Sequence, residues 1–165
     1  MSFSKKIGDS VISGDFSQLE KLVKELKTDY YVDVGILGEK TETEAGLTIA
    51  GIGAVHEFGT DKAGRGNKTV IPERSFIRMP IEKKQSEIVS FVEKKYEENL
   101  AKGDVKAIFT DIGIGAEAQI QEAFETGGFG TWPELADSTI EKKKSNAILI
   151  DDGTLKKSIS SDVGK

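Results

Sequence analysis

Residues Ile49 to Arg78 read IAGIGAVHEFGTDKAGRGNKTVIPERSFIR, and the fold turns on how this stretch divides. Its first part is small and apolar and ends in His56-Glu57-Phe58-Gly59-Thr60. Ala50, Gly51, Gly53 and Ala54 form one small face, so a helix is expected over 45–58. Glycines weaken an isolated helix, which points to close packing of that face against another element. Gly59 suits the helix end. Asp61 to Lys68 is rich in Gly and Lys and reads as a loop. Thr69 to Ile71 reads as a short strand. Pro72 holds Ile71 extended, and Arg74 and Arg78 flank Phe76 in the segment that follows.

Working outward, Tyr30 to Leu37 is the clearest strand, with Tyr30, Val32, Val34 and Ile36 on one face. Residues 15–28 read as an amphipathic helix with Phe16, Leu19, Leu22, Val23 and Leu26 on a face that needs a surface to cover. On the C-terminal side, Pro80 fits the first turn of a helix running to about Ala101. Gly103-Asp104 breaks it. A second helix spans Val105 to Glu125 until Gly127-Gly128 stop it, and the two make an αα-hairpin. Beyond lie a loop around Trp132 and a capping-box pattern at Ser138–Glu141 that opens a short helix. Asp151-Asp152-Gly153 is a turn signal, and one helical turn is expected over 154–159, with Leu155 and Ile159 inward. No boundary divides the chain, so residues 1–165 are read as a single domain.

Hydrophobic residues make up 37% and charged residues 31%, the balance of a soluble globular domain rather than a disordered one. No apolar run approaches the roughly 20 residues of a membrane span, and Met1–Lys6 lacks the apolar core of a signal peptide. Absence of cysteine excludes disulfides and thiolate metal sites, and fits cytoplasmic synthesis. A net charge of −5 disfavours tight duplex DNA binding, which draws on clustered cations. A nucleic-acid-binding regulator is disfavoured for that reason.

Chemistry is hard to find. His56 is the only histidine, and position 60 is Thr60, so the zinc-protease helix with histidines at i and i+4 fails. A small hydrolase using His56, Glu57 and the Asp151/Asp152 pair is the enzymatic alternative. Against it, a lone histidine is more simply a neutral group bonded to backbone, and an Asp-Gly turn more simply a turn. No G-x-S-x-G elbow and no phosphate loop occurs. Gly64-Arg65-Gly66 reads as a flexible loop first and as an anion or subunit contact second. Arg74 and Arg78 are either presented to a partner's carboxylates or bridged internally to Glu57 or Glu73. Trp132 is either an interface anchor or a plug in its own core. No cofactor and no metal set is expected, and the candidate subunit or partner interface is His56, Phe58, Arg65, Arg74, Phe76, Arg78, Trp132, Leu155 and Ile159.

Two separated blocks are more specific than any of these. One runs from Val34-Gly35-Ile36 through His56-Glu57-Phe58-Gly59-Thr60 to Ile71-Pro72-Glu73-Arg74-Ser75-Phe76-Ile77-Arg78. The other is Trp132-Pro133-Glu134-Leu135, Ser138-Thr139-Ile140 with Lys142, and Leu149-Ile150-Asp151-Asp152-Gly153-Thr154-Leu155-Lys156-Lys157-Ser158-Ile159. Together they resemble tailed-phage virion morphogenesis proteins of the Mu gpG type, neck and tail-completion components. The resemblance covers about half the chain. Asp152 replaces the family's Thr and Ser75 its Pro, and the order of the blocks is exchanged, as in a circular permutation.

The resemblance implies an α+β fold, a small antiparallel sheet packed with several amphipathic helices. It implies a non-enzymatic virion part that completes the tail or joins it to the head. The expected assembly is a homo-oligomeric, six-fold ring on connector, tail-tube or terminator proteins, with DNA passing through without sequence-specific binding. A tail terminator capping the tube is the structural alternative. A ring needs heterologous patches, for which the Gly-rich loop, the Arg74/Phe76/Arg78 segment and the C-terminal tail are candidates.

Overall fold

The computed structural model describes the backbone except at residues 1, 8–9, 16, 39–45 and 65, and the side chains except at 1–16, 39–45 and 65. In chain order the elements are β1 (Ser2–Ile7), β2 (Ser10–Asp15), α1 (Ser17–Leu26), β3 (Tyr31–Ile36), α2 (Ile49–Phe58), β4 (Thr60–Ala63) and β5 (Thr69–Ile71). There follow α3 (Arg78–Lys83), α4 (Gln85–Ala101), α5 (Val105–Gly130), α6 (Asp137–Lys143), α7 (Thr154–Lys157) and β6 (Ile159–Gly164). The strands form three antiparallel pairs, β1–β2, β3–β6 and β4–β5. The class is α+β, with small antiparallel sheets among helices, as expected.

Helix α5 is the axis of the fold. It packs on α4 as the αα-hairpin and also lies against β3, β6 and α3. Asp104 caps its start, accepting from Ala107 N–H at 3.0 Å. Buried Asp111 binds Lys95 Nζ and Asn99 Nδ2, each at 2.9 Å, so a carboxylate on α5 ties α4 to it. The core gathers at the C-terminal half of α5, where Ile120, Ala123 and Phe124 meet Phe76, Trp132 and Ile159. Phe124 contacts Phe76 at 5.3 Å between ring centroids and meets Trp132 edge-on at 5.8 Å, geometries that aromatic quadrupoles favour.

The strand expected at 30–37 is β3, and Val34 and Ile36 pack on the core from the face the alternation assigned to them. Its partner β6 pairs from Tyr31↔Gly164 to Ile36↔Ile159. The helical turn expected over 154–159 therefore stops at Lys157, and Ile159 starts a strand. The small face of α2 does pack closely, for a Cβ at Gly53 would come within 2.5 Å of Ile36 Cδ1.

Other expectations are corrected. The helix from Pro80 to Ala101 breaks at Lys84 (φ −115°, ψ 25°) into α3 and α4. Part of the 61–68 loop is β4. The Ser138 capping box does not form, because the helix begins at Asp137 with Ala136 in the capping position and no side-chain cap. The apolar face of α1 remains exposed at Leu19, Val23 and Leu26 among the described residues. The β1–β2 hairpin had no counterpart in the sequence reading.

Gly127-Gly128 end the right-handed part of α5 as expected, and Gly127, Gly128 and Phe129 then take left-handed geometry (φ 62°, 69° and 57°). This reversal swings Trp132 back under the helix, where its ring fills the space a Cβ on Gly128 would need. At Gly127 a Cβ would meet Ile148 Cδ1 at 3.7 Å, an ordinary contact. Gly127→Ala should thus cost only the left-handed backbone term, about 1–2 kcal/mol. Gly128→Ala should cost about 1–3 kcal/mol more through overlap with the indole. Urea unfolding of the two variants measures the difference. Equal losses would show that Trp132 does not need that space.

Candidate functional site

Helix α2 ends beside the segment Glu73–Arg78, and two groups of the His56-Glu57 dipeptide hold that segment. The His56 carbonyl accepts from Arg74 N–H at 2.8 Å. The buried Glu57 carboxylate accepts from Ser75 Oγ at 2.6 Å and from the N–H groups of Phe76, Ile77 and Arg78 at 2.7, 2.9 and 3.1 Å. These N–H groups lie at the start of α3, where helix geometry leaves donors without partners and the dipole is positive. The helix has no cap of its own at Ile77, so Glu57 acts as its cap from a distant element. Ser75 Oγ completes the turn by accepting from Met79 N–H at 3.0 Å.

Arg74 is buried too, and no carboxylate among the described residues pairs with it. Its guanidinium donates to the carbonyls of Pro133 at 2.9 Å and Glu134 at 2.7 Å. Trp132 Nε1 donates to the Ser75 carbonyl at 3.1 Å. The Arg74-Ser75-Phe76 and Trp132-Pro133-Glu134 segments, about sixty residues apart, thus clasp each other through three hydrogen bonds. Of the two readings of Arg74, the internal one holds, although the acceptors are carbonyls rather than Glu57 or Glu73. Arg78 does pair with Glu73, at 2.7 Å and in the open, where such a bridge contributes little.

On the other side of α2 lies a cleft of about 690 Å³. Ile49, Ile52, Leu135, Leu149 and Leu155 give it apolar walls, with His56, Arg74, Thr139, Lys143 and the turn Asp151–Thr154 adding polar groups. His56 is partly buried and its Nδ1 has no hydrogen-bond partner among the described residues. Burial first, then the charges of Arg74 and Lys143, lower its pKa below the ordinary 6.5, so the neutral ring is favoured. Asp152 closes the turn before α7 by accepting from Thr154 N–H at 2.8 Å, and that bond holds its carboxyl below the usual range.

The fold therefore brings His56 and Asp151/Asp152 to one cleft but turns Glu57 away from it into four structural bonds. No group of three or more His, Cys, Asp or Glu that could hold a metal occurs among the described residues. The expected interface set divides. Phe76, Trp132 and Ile159 are core side chains of a single chain, so these three are not presented at its surface, and Arg74, bonded inside it, reaches the surface only as part of the cleft wall. Burial of a large aromatic ring and satisfaction of a guanidinium by carbonyls are the physical reasons. Leu155 packs partly against the core and lines the cleft. Phe58 and Arg78 are exposed, and Arg65 lies outside the described residues. Ser75 and the wall residues Ile52 and Leu149 were missed. The 49/52/56 spacing, which puts three residues on one helix face, was the available signal for Ile52. No family model, no curated protein and no solved structure matches this chain.

Glu57→Ala should cost about 3–4 kcal/mol, since it strands a buried hydroxyl and three helix-start N–H groups. A loss below about 1 kcal/mol in urea unfolding would contradict the capping role. Stability should also depend on His56. As pH falls below 6.5 the unfolded chain takes up the proton first, so stability declines until the lower folded pKa is reached. His56→Gln should flatten the decline that begins as pH falls through the unfolded histidine's value of 6.5. An unchanged slope would place the titration elsewhere.

Proposed function

We propose that this chain is a non-enzymatic structural part of a tailed-phage virion that completes the tail or joins it to the head. It works as a ring around the DNA channel at the neck. The carrying observation is the clasp between the two blocks that resemble the Mu gpG-type family. Arg74 bonds the Pro133 and Glu134 carbonyls, Trp132 bonds the Ser75 carbonyl, and Phe76 and Trp132 pack about Phe124, while Glu57 of α2 holds the Phe76–Arg78 segment in place within the first block. Contacts of this kind survive an exchange of block order along the chain, because they depend on which segments meet and not on which comes first. Glu57, half of the His–Glu pair that suggested acid–base work, is consumed by capping, which weighs against a hydrolase. The acidic balance suits a surface that DNA passes without sticking.

Deleting the gene from the phage that carries it should leave filled heads and tails of normal length unjoined. Purified chain added to that lysate should restore infectious particles. Overlong tails would assign the chain to the terminator role instead, and normal virions without it would overturn the reading.

A further inference from the structure

Helix α2 presents two features at its surface, one on each side. Ile49, Ile52 and His56 line the cleft. Phe58 follows His56 by two residues, about 200° around the helix, and its ring is 68% exposed on the opposite side. Val70, on the adjoining β4–β5 hairpin, is equally exposed at 68%. An aromatic side chain this open is the kind of group that anchors a protein interface when a partner buries it. The cleft on the far side of the same helix is apolar-walled and enclosed enough to receive a ring.

Charges on the two faces are complementary. The hairpin exposes Lys62 and Lys68 against Asp61, while the mouth of the cleft exposes Asp151 and Asp152. None of the five belongs to an ion pair among the described residues. The cations that line the cleft are already engaged, Arg74 with two carbonyls and Lys143 with the Ala147 carbonyl at 2.8 Å. Lys157 lies beside the turn and its charge acts on Asp152, so Asp151 is the carboxylate most open to an outside cation.

We infer that Phe58 of one copy seats in the His56 cleft of the next, with the hairpin lysines meeting Asp151. Anchor and cleft lie on opposite faces of one helix, so the contact is heterologous and repeats head to tail. It builds a ring or a filament and excludes a two-fold dimer. The contact rests on the ring assembly proposed above and names the surfaces that form it.

The test uses the purified full chain with the photo-crosslinking residue p-benzoylphenylalanine at position 58, at up to about 1 mM, a range that captures weak self-association. Crosslinks should join position 58 to the cleft walls near Ile52, Leu135 or Leu149 of a second copy. Phe58→Ala and the single variant Asp151→Lys should each fold and melt like the parent, since both side chains are exposed. Each alone should self-associate about 30-fold more weakly, the loss expected of an interface anchor. Mixed together they should form a two-chain complex and nothing larger, because only one intact anchor–cleft pairing is left. A crosslink from position 58 to itself in a second copy, or unchanged association of Phe58→Ala, would overturn the inference. So would a particle that keeps one chain's mass throughout with no link between copies. If the contact fails in this way while the deletion phage still leaves heads and tails unjoined, the virion reading stands and only this interface falls.

Discussion

The structure depends on a single buried carboxylate. Glu57 is removed from water, which is costly for a charge unless hydrogen bonds replace its hydration. Three backbone N–H groups and one hydroxyl do so, at the positive end of a short helix. The arrangement works in both directions, because those N–H groups would themselves be orphaned without it. It fixes the angle between α2 and α3, and through them the path of the segment that carries Phe76 into the core. A Gln would keep the shape but give up the charge that suits the helix dipole.

From that point the fold spreads by polar contacts made to backbone rather than to other side chains. Arg74 reaches two carbonyls and Trp132 one, so the loop after α5 is held to the segment before α3 without a salt bridge. A guanidinium stays charged even when desolvation lowers its pKa. Carbonyl dipoles at under 3 Å are the means by which this one stays charged inside the protein. The indole adds apolar area to the same junction and uses its single donor there. Together these contacts place the cleft, whose walls come from α2, from the loop after Trp132 and from the turn before α7.

Much of the architecture was legible because it rests on local pattern. The alternation in 30–37 gave β3 and its buried face, the apolar spacing gave α1, α4 and α5, and Gly103-Asp104 and Gly127-Gly128 marked real breaks. The small face of α2 correctly signalled a close neighbour. What was not legible lacks a local signal. Strand β6 reads Ile-Ser-Ser-Asp-Val-Gly, too polar to announce itself, and is a strand because β3 offers it a ladder. Ser138 had the sequence of a capping box, but the capping position fell two residues earlier, at Ala136.

The sequence by itself determined which residues could be buried, which segments would be helical and where the chain would turn, since these follow from side-chain size, periodicity and backbone freedom. Only the tertiary structure decided what the marked residues do. Glu57 is a cap rather than a base, Arg74 binds carbonyls rather than carboxylates, and Trp132 is core rather than anchor. In each case the deciding partner lies about twenty to sixty residues away along the chain. One sequence does not encode such partners locally, because burial and hydrogen-bond satisfaction are properties of the assembled interior.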